Sequence, residues 1–322
     1  MLNLPIPNSS LTVSSLCLGA AGFGTDVRGK DVDNLVATFL NAGGNFFDTA
    51  HVYACWVPGG SGASERELGA ALRRAGVQNK VVVATKGGHP DIQNIYPRPA
   101  DFLSGQTLAS DICESQDRLG VETIDLYYLH RDDGITPVGE IIENLNERIS
   151  SGSIRHIGAS NWSVERIAQA NHYAIVHGLQ GFVISQIQGS LAIPNWKVEN
   201  LDPTIRRIDS ETLAYHENSG IPITCYTATA GGFFASNPHS HGQFDNSENR
   251  ERLLRAAALA NELEVTPTQV ALAYLQCQRA TTIPVFSTTR VEHLREAIGS
   301  AKITLSKAHL EWLRDDVKIL AP

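Results

Sequence analysis

No apolar run in this sequence reaches the roughly 18–20 residues that a bilayer-spanning helix needs. The opening MLNLPIPNSS has neither a basic n-region nor an apolar h-region, so it does not read as a secretory signal. Dense Lys/Arg blocks are missing too. With 26 basic against 34 acidic residues and a net charge of −8, nucleic acid and acidic membranes are not expected partners. The five cysteines (Cys17, Cys55, Cys113, Cys225, Cys277) form no CxxC pair. An odd, scattered set suggests reduced thiols in a cytoplasmic protein and no zinc site. Cys17, Cys113, Cys225 and Cys277 read as small core residues, and Cys55 as a loop residue near Tyr53. No G-x-G-x-x-G follows the first strand, which removes the dinucleotide fingerprint of an open doubly wound sheet. The absence of a G-x-S-x-G elbow disfavours acyl transfer, and the absence of H-E-x-x-H disfavours metal hydrolysis. His239 and His241 in NPHSHGQ lie close together, but two histidines make no metal site, and a solvated loop is the better reading. No low-complexity tract or internal repeat beyond the strand–helix period appears.

What is present is a steady alternation. Apolar runs of strand length occur at 15–19, 45–48, 81–86, 123–130, 154–160, 182–187, 221–226 and 281–286. Most lack polar alternation, as expected for parallel strands covered on both faces. Helical patterns with readable ends separate them. Asp31 to Ala42 stops at Gly43-Gly44, and Ser64-Glu65-Arg66-Glu67 has the form of a capping box. Thr107 to Leu119 ends at Gly120, and Ile141 to Ile149 ends near Gly152. Ser163 can cap the next helix, and Thr266-Pro267-Thr268-Gln269 places a cap, a proline and a glutamine in order. Val291 to Ile298 and Ser306 to Val317 close the chain.

Eight such alternations over 322 residues, with a 42% hydrophobic fraction and no composition break, predict one α/β domain over residues 1–322, a (β/α)8 TIM barrel. Long connections at 87–105, 188–210 and 230–248 all follow strands, so they belong to the C-terminal face, where barrel active sites lie.

Four polar residues end or closely follow apolar runs: Asp48 in NFFDTA, Tyr53 in HVYA, Lys86 in VVVATKGG and His130 in DLYYLH. Neighbouring strands lie about 4.8 Å apart, so three consecutive strand ends bring these side chains within mutual reach. A tyrosine titrates near ~10. An adjacent ammonium such as Lys86 is expected to lower that value, Asp48 to hold Lys86, and His130 to orient a substrate oxygen. Each residue alone has a bland reading: a cap, a loop packer, a solvated terminus, a core histidine. Their joint order at strand ends points to proton transfer.

NFFDTAHVYA, VVVATKGG, DLYYLH, IGASNW, SQIQ, CYTATAGG and IPVFSTTRVEHLREAI together resemble the aldo-keto reductases in family order over nearly the whole chain. The resemblance implies a (β/α)8 barrel that binds a nicotinamide dinucleotide without a Rossmann domain. It implies Tyr53 as general acid for carbonyl reduction and base for alcohol oxidation, tuned by Lys86 and Asp48, with His130 orienting the carbonyl. It further implies that backbone around Gly22 approaches the nicotinamide ribose, and that Ser160, Asn161 and Gln186 hold the carboxamide. Tyr226 would stack on the nicotinamide, and Thr227, Thr229 and Gly231 would line the pyrophosphate. Ser287, Thr288, Arg290, His293 and Glu296 would surround the adenosine end. Without the family, Ser160-Asn161 reads equally as a helix cap, and Tyr226 as core.

Two departures bear on the nucleotide. A basic residue expected in the Ser287-Thr288-Thr289-Arg290 stretch is Thr289, and the usual Glu-Asn pair is Glu296-Ala297. Arg290 is the strong cation left in that block to meet a 2′-phosphate. NADP(H) stays favoured, with NAD(H) or dual use open. For the substrate, a small carbonyl compound or alcohol, Phe23, Trp56, Trp162, Trp196 and Phe233 are expected near the mouth. Trp56 and Trp196 are candidates for facing a sugar. Two rival readings remain: a non-catalytic cofactor-sensing regulatory subunit of the same fold, and a Schiff-base aldolase using Lys86.

Overall fold

Eight parallel strands close into a barrel in chain order in the computed structural model, which describes residues 1–92, 95–195, 204–235 and 242–314. They are β3 (Cys17–Gly19), β4 (Phe46–Asp48), β5 (Val82–Gly87), β6 (Ile124–Leu129), β7 (Ile154–Ser160), β8 (Ile184–Gln188), β9 (Ile223–Tyr226) and β10 (Thr282–Phe286), with β10 pairing back onto β3. All eight match expected runs to within a few residues at their ends. The fold is therefore a (β/α)8 barrel, as the alternation implied.

Side-chain parity explains the division between outside and inside. Phe47, Tyr127, Leu129, Ile157 and Ala159 join the outer clusters under the helices. Phe46, Ala84, Leu126, Tyr128, Ile184, Ile283 and Val285 pack together within the barrel. Successive strand residues face opposite sides. Asp48, Lys86, Ser160, Gln186 and Tyr226 thus share the inward parity of Phe46, Ala84, Gly158, Ile184 and Thr224. The interior is crowded: a Cβ on Gly158 would stand 2.6 Å from the Tyr128 ring. The Tyr128 hydroxyl finds Thr224 Oγ1 at 3.1 Å.

A feature that the sequence did not signal closes the opposite end. β1 (Asn3–Pro5) and β2 (Thr12–Ser14) form an antiparallel hairpin. Its Ile6, Leu11 and Val13 are buried against Cys17, Val82, Val183 and Ile283 at the strand beginnings. Ser10 ties it to His156 of β7, its amide lying 3.2 Å from Nε2.

The outer layer holds α1 (Lys30–Asn41), α2 (Ala63–Ala75), α3 (Gly105–Leu119), α4 (Val138–Ser150), α5 (Val164–His177), α6 (Ser210–Ser219), α7 (Ser247–Glu262), α8 (Pro267–Gln276), α9 (Val291–Gly299) and α10 (Lys307–Arg314). The Thr266 capping box and the Ser163 cap are made as expected. The Ser64 box is not. α2 begins at Ala63 after Gly62, and the Ser64 hydroxyl instead donates to the Ala20 carbonyl at 2.7 Å and meets Thr49 Oγ1. Tertiary contact to the barrel rim overrides the local signal. Cys113 also departs from expectation, being exposed on α3, and Cys277 is half-buried. No helix among the described residues is long and apolar enough to cross a membrane, and no cluster among them could hold a metal.

Candidate active site

The inward ends of β4 and β5 set the first contact. Asp48 is in register with Ala84, and Lys86 lies one inward position further on. Its side chain reaches back, and Nζ donates to Asp48 Oδ1 at 2.7 Å. It also donates to the Thr49 carbonyl at 2.8 Å and to Tyr53 Oη at 3.0 Å. An ammonium has three protons and no acceptor, so all three donors are used. Gln186 Nε2 donates to the other Asp48 oxygen at 2.9 Å. The pair is almost wholly enclosed, with side chains 1% and 3% exposed.

The Tyr53 turn is pinned to the sheet beyond the strand. Thr49 N–H donates to Ala84 O and His51 N–H to Lys86 O, both at 2.9 Å. Tyr53 N–H closes on Ala50 O, and Ala54 takes the left-handed backbone with φ 69°. His130 arrives from β6, its N–H on Gly87 O at 2.8 Å, with its ring 5.9 Å from that of Tyr53. Asp48, Tyr53, Lys86 and His130 therefore meet in one place.

Their electrostatics differ in part from expectation. Burial holds the Tyr53 hydroxyl above its ordinary value; Lys86 pulls the other way and only partly offsets it. The expected net lowering by Lys86 is not what this environment gives, because desolvation of the phenolate is the larger effect. Lys86 itself is raised. Burial opposes its charge, but Asp48 and Tyr53 together outweigh it. His130 is pushed well below its usual value by burial and then by Arg131, His89 and Lys86, so its ring is neutral. Its Nδ1 is buried with no hydrogen-bond partner.

Beside the tetrad lies a cavity of about 320 Å³. Its lining includes Gly19, Asp48, Tyr53, Tyr226, Thr227, Thr229, Gly231 and Ser287. A Cβ on Gly19 would collide with Ser287 Oγ and narrow this space. Thr227 and Gly231 have positive φ (58° and 63°), which turns this stretch back along the rim. Ser160 and Asn161 are buried at the end of β7. Asn161 Oδ1 accepts from the Tyr226 hydroxyl at 2.7 Å and from Arg206 N–H at 3.2 Å, while Nδ2 donates to Ser160 Oγ.

Other expected residues sit further away. Gly22 lies in a turn where its carbonyl accepts from Asp26 N–H, and its neighbour Ala21 lines the cavity. Arg290 and His293 are exposed at the start of α9, where Arg290 N–H donates to Thr288 Oγ1. Glu296 is engaged elsewhere, taking the Thr266 hydroxyl at 2.6 Å at the start of α8. Trp56 is 57% exposed with its ring 6.4 Å from Tyr53. Phe23, Trp162 and Phe233 do not stand at an open mouth. All three are buried, Trp162 under the helices against Phe182 and Phe233 against Phe234. Trp196, His239 and His241 fall outside the described residues. Burial raises the Cys55 thiol, which weakens it as a nucleophile.

A partly buried charged network near Tyr53 escaped the sequence reading. His51 meets the Tyr96 hydroxyl at 2.6 Å and Glu114 at 2.9 Å. Arg98 pairs with Asp111 at 2.8 Å, and Arg118 with Glu65 and Glu114. Burial, then Arg118 and Arg98, push His51 down to about 4. These partners come from α2, α3 and the connection at 88–104, with no spacing in the sequence to link them.

A family model described as the aldo/keto reductase family matches residues 15–315. The chain is 28% identical over 317 residues to the uncharacterized oxidoreductase YrpG of Bacillus subtilis (strain 168), covering 95% of this chain and 93% of that protein. It is 29% identical over 324 residues to probable aldo-keto reductase 1 of Glycine max, covering 94% and 84%. It is 28% identical over 292 residues to aldo-keto reductase yakc [NADP(+)] of Schizosaccharomyces pombe (strain 972), covering 85% and 78%.

Proposed function

The chain belongs to the aldo/keto reductase family, and from that premise we propose that it is an NADP(H)-dependent oxidoreductase reducing aldehyde or ketone carbonyls to alcohols, with Tyr53 as the proton donor. The observation that carries this reading is the direction of the Lys86–Tyr53 hydrogen bond. Because Lys86 can only donate, Tyr53 Oη is the acceptor there, and its own proton is left for another oxygen.

The cavity beside the tetrad suits a nicotinamide nucleotide. It opens against Asp48 and Tyr53, has an aromatic residue in Tyr226, and offers the Thr227–Gly231 turn along its rim. The Ser160 hydroxyl and the Asn161 amide, both buried at the end of β7, would hold the carboxamide, and Arg290 would be the cation for a 2′-phosphate. The bound nicotinamide would supply the hydride. The chain's own residues do the rest. Neutral His130 and Tyr53 hold the carbonyl oxygen, and the Tyr53 proton moves to it as charge develops. Lys86, held by Asp48 and Thr49, stabilises the phenolate left behind. A tyrosine raised by burial stays protonated near neutrality, which suits reduction more than oxidation.

The NADP(+) in the name of the Schizosaccharomyces pombe relative supports the same nucleotide. The aldolase reading is disfavoured because Lys86 is ion-paired and its pKa is raised, the opposite of what a Schiff-base nucleophile needs. The assembled tetrad favours turnover over a purely regulatory role.

Tyr53→Phe tests the reading. NADPH-dependent reduction of a panel of aldehydes, ketones and sugars, followed at the nicotinamide absorbance, is expected to fall by about 10²–10⁴-fold. NADPH binding by fluorescence titration is expected to stay unchanged. Full activity in the variant would overturn the role of Tyr53.

A further inference from the structure

The charged network near Tyr53 has no part in the chemistry above, and one ring lies at its centre. His51 comes two residues before Tyr53 and is 1% exposed. All of its polar groups are engaged. Its N–H donates to Lys86 O at 2.9 Å, and its carbonyl accepts from Arg118 Nη1 at 3.4 Å. Nε2 lies 2.9 Å from Glu114 on α3. Nδ1 lies 2.6 Å from the Tyr96 hydroxyl and 2.9 Å from Arg98 Nη2. A guanidinium can only donate, so Nδ1 holds the lone pair, and in the neutral ring Nε2–H donates to the Glu114 carboxylate.

These contacts reach towards both residues that would hold the carbonyl oxygen. On one side, the chain leaves β5 after the His51 N–H and turns on the bond from Tyr53 N–H to Ala50 O. Val52, between His51 and Tyr53, is buried beside Ala50 and Tyr96. On the other side, the Tyr96 ring lies 6.0 Å from that of His89, which in turn meets the His130 ring at 4.9 Å. Arg118 also pairs with Glu65, whose carboxylate accepts from the Thr85 hydroxyl beside Lys86. The His51 ring thus joins the Tyr53 turn to α3 and to the connection at 88–104. It does not line the cavity beside the tetrad, so any effect on turnover passes through the residues it holds.

Resting on the assignment of Tyr53 and His130 as the carbonyl site, we propose that His51 is a positioning residue whose two ring nitrogens hold Tyr53 and His130 at the spacing that one carbonyl oxygen needs. A group misplaced by about 1 Å can cost about 100-fold in rate, even when the cause lies away from the reacting atoms. The backbone bond from His51 N–H to Lys86 O needs no side chain, so the share of the ring can be measured by itself.

The test reads kcat per NADPH-binding site, counted by fluorescence titration, on the fastest aldehyde or ketone of the panel above. His51→Phe keeps a ring and loses both nitrogens. It is expected to lower kcat by about 10–100-fold with NADPH affinity unaltered. The isotope effect with NADPH deuterated at the transferred position is expected to rise, because the chemical step becomes the slow one. A purely structural role would reduce the number of binding sites and leave kcat per site and the isotope effect as they were. His51→Asn, whose amide oxygen can stand where Nδ1 stood, is expected to recover most of the loss. Tyr96→Phe removes only the hydroxyl that meets His51 and is expected to lower kcat by a smaller factor; it decides the matter should His51→Phe not fold. Wild-type kcat per site in either phenylalanine variant overturns the inference, and so does a His51→Asn protein as slow as His51→Phe. In each case turnover by wild type leaves the reductase assignment standing. No turnover of the panel by wild type with NADPH or NADH overturns both.

Discussion

Lys86 donates to Tyr53 across 3.0 Å and cannot receive from it, so the phenolic proton of Tyr53 is aimed by a neighbour that has no lone pair. The consequence differs from simple acidification. Burial keeps the phenol above its ordinary value despite the ammonium. Lys86 therefore does two separable things: it directs the proton away from itself, and it waits beside the oxygen where negative charge will appear. Thr49 and Asp48 hold it there by taking its other two protons.

Removing that ammonium should be costly to the fold as well as to turnover. Lys86→Met leaves the Asp48 carboxylate enclosed, with Gln186 as its remaining side-chain donor among the described contacts. Breaking one side of a buried pair costs about 3–5 kcal/mol. Urea unfolding at pH 7 should show a loss of that size. The double variant Lys86→Met/Asp48→Asn should recover part of it, with a coupling of at least about 1 kcal/mol. Additive losses would show that the two side chains do not act as a pair.

His51 predicts a pH dependence of stability. Its folded value is held down to about 4, against about 6.5 unfolded. The unfolded chain thus binds a proton between these values that the folded chain does not. The stability contributed by His51 is fully present above about pH 6.5 and is lost as pH falls towards 4. Comparing unfolding free energies at pH 7 and 4.5, the drop in wild type should exceed that in His51→Asn by about 2–3 kcal/mol. Identical drops would mean that the His51 ring is charged in the fold.

Nucleotide preference should depend on Arg290. Its guanidinium is exposed and makes no ion pair among the described residues, and Thr289 and Ala297 beside it bring no further charge. Arg290→Ala should weaken NADPH binding by about 10–100-fold and NADH binding by less than about 3-fold, as expected for one charge-assisted contact. A titration of each nucleotide against wild type and variant measures both. Tighter binding of NADH than NADPH by wild type would assign Arg290 another role.

The barrel and the tetrad were legible because each depends on short-range pattern. An apolar run followed by one polar residue marks both a strand and its rim, and parity then places Asp48 and Lys86 inside. The aromatic residues failed the same test. Trp162 is close to Ser160 in sequence, but Asn161 takes a left-handed backbone (φ 61°), and the tryptophan lies under the helices. Phe23 and Phe233 likewise follow strand ends and pack away from them. Ser64 had the sequence form of a cap, yet its hydroxyl is taken by Ala20. The His51 network was invisible because its members come from four separate segments, and only the closed barrel brings Tyr96, Asp111 and Glu114 to one ring.

The N-terminal hairpin gives the molecule a direction. The packed interior around Phe46, Leu126, Tyr128 and Ile283, with Ile6, Leu11 and Val13 beneath it, leaves the strand ends as the side from which two ligands sharing the cavity would enter. A ligand seated deeper would then arrive first and depart last. The filled barrel would thereby set a timetable, and competition between substrate and product for the entrance would follow from the shape of the vessel before any chemistry takes place.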